Sequence, residues 1–157
     1  MNTTNNNQLP PFLTKFVESN FLKIELVFGV LILIGLILKS FEIPNSGLIL
    51  LISFGVLAIL YFLGAFIPPS ENESSLFRII GFKVLHISWA VSTVGLLFLI
   101  QKFPGAMTQT TIGAFSMLSA LVLVILTSLN SWNDRVTQSI IRSIIIFILL
   151  YMFVNMI

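Results

Sequence analysis

Two ionisable side chains, Glu25 and His86, lie inside apolar stretches of the sequence. Charged groups are costly inside a bilayer, so such residues are candidates for function. Histidine is the side chain whose ordinary titration falls between pH 5 and 8, so a Glu25–His86 pair could serve as a proton or gating group. The alternative is structural: Glu25 reaches water at the membrane interface, and His86 bonds to a neighbouring carbonyl or headgroup. If the two residues lie at equal depth, we predict that they pair.

A second group of candidates consists of small residues at helical spacing. Small side chains let membrane helices approach closely and form interhelical hydrogen bonds. We predict that they mediate helix packing, with the lining of a polar pathway as the alternative. They are Gly35, Gly95, Ser92, Gly113, Ser116 and Ala120.

Enzyme signatures are missing from the sequence. It has one histidine and no cysteine, which argues against the common metal-binding sets and against a thiolate nucleophile. The motifs GxSxG, HExxH, Walker A and GxGxxG do not occur. We therefore predict a noncatalytic protein with no cofactor, metal or catalytic residue.

The overall composition is that of a membrane protein. Of the 157 residues, 57% are hydrophobic and 9% are charged, against roughly a quarter charged in a soluble domain. Mean hydropathy is +1.05. This composition predicts contact with the lipid bilayer. The net charge of +2 rests on few groups, so we predict no nucleic-acid partner.

The gaps between charged residues divide the chain into membrane segments, since roughly 20 apolar residues cross the hydrocarbon. We predict an all-α polytopic fold with five transmembrane helices, arranged as two hairpins and a C-terminal helix. Four spans plus an interfacial helix at residues 139–157 remain the alternative. The predicted divisions are a polar tail at 1–20, a first hairpin at 21–67, a cytoplasmic loop with an interfacial stretch at 68–83, a second hairpin at 84–129, a loop at 130–138 and the last helix at 139–157.

The hairpin turns are marked by four residues, Lys39 and Pro44 in the first and Pro104 and Gly105 in the second. Proline cannot continue a helix, and the Pro-Gly pair is a strong turn signal. The turns share one side of the membrane and hold two basic residues. The opposite side holds six: Lys15, Lys23, Arg78, Lys83, Arg135 and Arg142. The positive-inside rule therefore predicts a cytoplasmic N-terminus.

The two hairpins also repeat each other. A shift of 60 positions aligns Lys23 with Lys83, Gly35 with Gly95 and Pro44 with Pro104. An even number of spans per unit makes this a parallel repeat. The alternative is that any two hairpins need a turn proline and a basic flank.

Three short segments carry a family resemblance: 35–39 (GLILK), 42–44 (EIP) and 61–68 (YFLGAFIP). They resemble the transmembrane hairpin of GldL, the Bacteroidota motor protein of gliding motility and type IX secretion, and of small related membrane proteins. The resemblance implies a hairpin in a bacterial inner membrane. Such motors carry an acidic residue just before an alanine in the second helix, where this sequence has Leu57 before Ala58. Glu42 also stands where the family's turn has a histidine. A proton-driven motor needs an intramembrane group that gains and loses a proton, so without the acidic residue the motor's energy-transducing role does not transfer.

These patterns together predict a noncatalytic inner-membrane subunit or scaffold, which packs with itself or with other proteins in a membrane complex. The alternative is a small channel or carrier formed by oligomerisation, with Glu25 and His86 as proton-linked groups.

Overall fold

The computed structural model describes residues 10–67, 76–129 and 132–155, and every regular element in these ranges is an α-helix. The five helices are α1 (Pro11–Ser40), α2 (Ser46–Gly64), α3 (Leu76–Gln101), α4 (Ala106–Ser128) and α5 (Asp134–Asn155). Each is long and apolar enough to cross a bilayer. The predicted all-α polytopic fold is confirmed. The length of α5, about 33 Å at 1.5 Å per residue, favours the five-span form over the four-span alternative.

Three helices begin earlier than the sequence predicts. Helix α1 begins at Pro11, inside the predicted tail. Proline suits the first helical position, because the N–H of that residue makes no hydrogen bond within the helix and its absence costs nothing there. Helix α3 begins at Leu76 and makes the predicted interfacial stretch part of one continuous helix. Helix α5 begins at Asp134, where the Asn133 side chain accepts a hydrogen bond from the Val136 N–H at 3.1 Å. The predicted positions 1–9, 68–75, 130–131 and 156–157 lie outside the described residues.

The two hairpin turns share one backbone conformation. After α1, Glu42 has φ 55°, and after α3, Lys102 has φ 56°. The next N–H reaches back to the helix in both turns, from Ile43 to Leu38 at 3.0 Å and from Phe103 to Phe98 at 2.9 Å. This bond pattern is the Schellman motif, which satisfies carbonyls left free at a helix end.

Each predicted turn proline precedes a left-handed residue that starts the next helix. Pro44 is followed by Asn45 (φ 67°), and Pro104 by Gly105 (φ 81°). Lys39 joins the two turns, because its ammonium donates to the Ile100 carbonyl at 2.8 Å and to Gln101 at 2.9 Å. The hairpins are therefore fastened to each other at their turn ends.

Helix α3 is the centre of the bundle and packs against α2, α4 and α5, whereas α1 packs against α2. The α3–α4 contact is the closest, owing to the predicted small residues. A Cβ added at Gly95 would lie 3.1 Å from the Thr110 backbone, and one at Gly113 would lie 2.9 Å from the Ser92 backbone. Glycine is thus needed where these backbones approach.

The other predicted packing residues lie at related places. A Cβ at Gly35 would lie 2.8 Å from Leu50, so glycine also fits α1 against α2. Ala120 is buried on α4. Ser116 is only half-buried, and its hydroxyl bonds to the Gly113 carbonyl of its own helix at 3.1 Å.

Candidate functional site within the membrane helices

Polar and aromatic side chains from four helices meet in one place, here called the Glu25 cluster. It consists of Glu25 of α1, Tyr61 of α2, His86 and Trp89 of α3, and Arg142 of α5. By helix rise, Glu25, Tyr61 and His86 lie about 21 to 23 Å from the helix ends at the hairpin turns. The hydrocarbon is about 30 Å thick, so the cluster belongs within the apolar layer, nearer the side opposite the turns.

The Glu25 carboxylate is the acceptor at the centre of the cluster. The Nε of Arg142 donates to both of its oxygens, at 2.8 and 2.9 Å, and the Tyr61 hydroxyl donates to Oε1 at 2.9 Å. Both charged side chains are largely covered, with exposed fractions of 17% for Arg142 and 16% for Glu25. The charges neutralise each other, which lowers the cost of keeping them in an apolar layer.

Aromatic rings hold the Arg142 guanidinium in position. Its central carbon lies 5.1 Å from the centre of the Phe21 ring and 5.8 Å from that of Trp89, within the range of cation–π attraction. The Trp89 indole in turn donates to the Ser143 hydroxyl at 2.9 Å, beside Arg142 on α5. Helix α5 is therefore attached to α3 and α1 through adjacent residues.

His86 belongs to the cluster but does not pair with Glu25. Its Nδ1 donates to the Phe82 carbonyl at 2.8 Å, one turn earlier on α3, and its ring packs 4.7 Å from Trp89. A Cβ at Gly64 would collide with this ring, so α2 lies directly against it. This arrangement agrees with the structural alternative for His86, a bond to a neighbouring carbonyl.

The predicted Glu25–His86 pair is replaced by Glu25–Arg142, because Arg142 approaches from α5 with a full positive charge and its Nε donates to both carboxylate oxygens. The sequence prediction assigned Arg142 only to the membrane interface and did not single out Tyr61. One signal was present: Arg142 is the last charged residue before an uncharged stretch on α5, as Glu25 is before one on α1. Two opposite charges at such positions can satisfy each other inside a bilayer.

A groove of about 660 Å³ extends from the Glu25 cluster toward the hairpin turns. Helices α1 and α5 form its walls, and α2 and α3 form its floor through residues such as Phe54, Leu57 and Leu96. No Cα of α1 lies within 8 Å of a Cα of α5 in the described parts of these helices. The Glu25–Arg142 pair therefore bridges a gap that the two backbones leave open.

The groove opens sideways, toward the position of the lipid. Its rims carry apolar residues that are more than half exposed, at 61% for Leu26, 60% for Leu33 and 52% for Ile145. Its polar lining is concentrated at the end that holds Glu25, Gln138 and Arg142. The site is thus an apolar groove with one polar end.

This fold and site define an integral membrane protein of the polytopic α-helical class, whose apolar helices contact the bilayer. Comparisons of the chain with models of protein families, with curated proteins and with solved structures found no match.

Proposed function

We propose that the protein is a noncatalytic subunit or scaffold that packs in a homo-oligomer or in a larger membrane complex. The observation that supports this proposal is the way in which the polar groups of the apolar helices are used. Glu25, Tyr61 and Arg142 bond to one another across three helices, and Trp89 bonds to Ser143. Side chains joined in this way fix the relative positions of helices, which is the task of a scaffold.

A small channel or carrier is the second candidate, and one observation favours it. Glu25 and His86 belong to the same cluster at similar depth, where a carboxylate and an imidazole could exchange protons with a transported solute. The apolar lining of the adjacent groove favours the scaffold instead, because ions need polar groups along their path.

The proposed location is a bacterial inner membrane with the N-terminus in the cytoplasm. The resemblance of the first hairpin to GldL supports the membrane, and the six-to-two distribution of Lys and Arg supports the orientation. Because the sequence lacks cysteine, single-cysteine variants can test the orientation without labelling of any native thiol in this chain. On intact cells, an impermeant maleimide should label the Phe103→Cys variant in the second turn and leave Trp132→Cys unlabelled; the reverse pattern would contradict the orientation.

We also propose that the hairpins arose as a parallel duplication. Matched left-handed residues 60 positions apart support it, Glu42 with Lys102 and Asn45 with Gly105. The helix contacts follow the same shift, since Gly35 meets Leu50 while Gly95 meets Thr110. A turn proline and a basic flank alone would not require equivalent contacts between the helices.

The experiment that separates the two functions combines purification of the protein with a measurement of proton or solute flux in liposomes. The full chain is purified from its host in mild detergent, and the native mass of the eluted species is determined. A heteromeric complex supports the scaffold, and a monomer without companions contradicts it. A homo-oligomer is expected under both candidates, and the flux measurement then decides between them. The Glu25→Gln variant adds a second readout. Its side chain can still accept hydrogen bonds from Tyr61 and Arg142 but no longer balances the Arg142 charge, so we expect a scaffold to melt at a lower temperature and to keep its native mass below that temperature. Loss of proton or solute flux in liposomes with this variant would instead support the carrier.

A further inference from the structure

We propose that the groove between α1 and α5 binds a neutral amphiphile with a single hydrocarbon chain and a carbonyl or hydroxyl head. The chain would lie along the groove, and the head would accept hydrogen bonds from Arg142. The inference does not depend on the scaffold proposal, since it concerns a site within one copy of the chain.

The dimensions of the groove favour a hydrocarbon chain. From Glu25 to Leu36, the last lining residue of α1 before the turn, the groove covers about 16 Å by helix rise. This length is close to half of the 30 Å hydrocarbon layer, so a hydrocarbon chain about as long as those of one leaflet fits the groove. The lining between these ends is apolar apart from Thr93, whose hydroxyl donates to the Trp89 carbonyl of its own helix at 2.7 Å. The lateral opening gives access from the lipid.

The ion pair argues against a transmembrane helix as the occupant. A side chain of Arg or Glu extends about 5 Å from Cα to its bonding atom, so the two Cα atoms flanking the pair are separated by at most about 13 Å. The pair itself fills this gap. A helix long enough to cross the bilayer would extend past the end of the groove and meet the pair, whereas a shorter hydrocarbon chain would end there.

The donors at the polar end favour a neutral head. Arg142 uses Nε to bind Glu25, while its two terminal nitrogens make no hydrogen bond to any residue that the structure describes. These nitrogens can donate to an oxygen of a ligand. Since Glu25 already balances the charge of Arg142, an additional anion would be uncompensated in the apolar layer, and a carbonyl or hydroxyl oxygen would not.

The chain offers a matched pair of variants to test the groove. A Cβ at Gly29, on the groove wall, meets nothing within 4 Å, and the same is true of Gly55, which does not line the groove. Gly29→Leu therefore places a side chain on the groove wall where its Cβ meets no neighbouring atom, and Gly55→Leu adds the same side chain at a similarly open position away from the groove. Equal melting temperatures of the two variants would show that neither perturbs the fold.

The probe is decylubiquinone, whose neutral quinone head quenches tryptophan and whose tail is a single alkyl chain. Trp132→Phe leaves Trp89, 5.8 Å from the Arg142 guanidinium, as the reporter in nanodiscs of phosphatidylcholine. We expect saturable quenching with the parent and with Gly55→Leu, and an apparent affinity weakened by about tenfold or more in Gly29→Leu. Quenching that is linear in probe concentration, or equal in both glycine variants, would overturn the proposal.

Competition then identifies the head. Displacement by farnesol, a neutral alcohol, supports the neutral class and extends it from quinones to prenols; failure of farnesol would restrict the site to the quinone carbonyl within that class. Displacement by dodecanoate and not by farnesol would overturn the neutral head. A native dimer that dissociates in Gly29→Leu, without saturable quenching, would assign the groove to a second copy of the chain and overturn the proposal as well.

Discussion

Two helix pairs in this protein are held together in opposite ways. Helices α3 and α4 meet backbone to backbone, since Gly95 and Gly113 leave no space for a Cβ. In the described residues helices α1 and α5 have no such approach, and the Arg142 guanidinium connects them across a groove through its ion pair with Glu25 and its contact with the Phe21 ring. The first contact depends on shape along its whole length, and the second depends on charge at one point.

This difference assigns different roles to the two sides of the bundle. Close packing of small residues gives many dispersion contacts that no single polar group controls. An ion pair across a gap fixes the separation of two helices while leaving space between them. The α3–α4 side is therefore suited to rigidity, and the α1–α5 side to the entry of an occupant.

The largest expected change in stability comes from a substitution on the open side of the bundle, between α1 and α5. Arg142→Leu leaves the Glu25 carboxylate without its cation in an apolar layer, and breaking a buried pair in this way costs about 3–5 kcal/mol. We expect a correspondingly large drop in the midpoint of thermal unfolding in detergent.

The double variant Glu25→Leu with Arg142→Leu is the control, because replacing both partners by apolar residues of similar volume is often nearly neutral. Its melting temperature should return most of the way to that of the wild type. If the single and double variants melted alike, the ion pair would not be what holds α1 near α5.

The second largest expected change in stability comes from a substitution at the close contact between α3 and α4. Gly113→Ala places a methyl group 2.9 Å from the Ser92 backbone, which cannot move as a flexible side chain would. Overpacking of this kind costs about 1–3 kcal/mol. Chemical unfolding monitored by circular dichroism measures it.

Gly55→Ala serves as the matched control, because its Cβ meets nothing within 4 Å and alanine is the better helix former. The comparison between the two helix pairs would fail if both alanine variants changed stability equally.

The fold was predictable because its signals are local. The lengths of uncharged stretches predict five helices, and Pro44 and Pro104 mark the turns that the structure contains. The start of α1 was not predicted. Pro11 falls in the predicted polar tail at 1–20, but in the structure it occupies the first position of α1.

The site was only partly predictable, because partners depend on helix rotation and on which helices are neighbours. Glu25 and His86 were identified by the cost of ionisable groups in a bilayer, and they do lie in one cluster. Arg142 is 117 positions from Glu25, and no periodicity in either helix reports that α5 would face α1. The groove follows from the same arrangement and has no signature in the sequence.

A smaller effect concerns the attachment of α5 to α3. Ser143→Ala removes the acceptor of the fully buried Trp89 N–H, at a cost of about 1–2 kcal/mol for an unsatisfied donor. Ser139→Ala is the control, because Ser139 is equally buried on α5 but bonds to the Arg135 carbonyl of its own helix. Thermal unfolding should separate the two variants; equal shifts would mean that the Trp89–Ser143 bond does not hold α5.

The smallest expected effect tests whether the two hairpin turns, which share one backbone conformation, are energetically equivalent. Glu42 and Lys102 occupy left-handed positions at φ 55° and 56°, which glycine adopts without the steric cost of a Cβ. Each substitution to glycine should raise the free energy of unfolding by up to about 1 kcal/mol, after the loss of chain entropy is subtracted. Ser40→Gly, in the last helical turn of α1, should lower it by about 0.5–1 kcal/mol. Equal gains at Glu42 and Lys102, measured by chemical unfolding, would mean that the turns are energetically equivalent. Unequal gains would mean that the two turns differ in energy although their backbone conformations match.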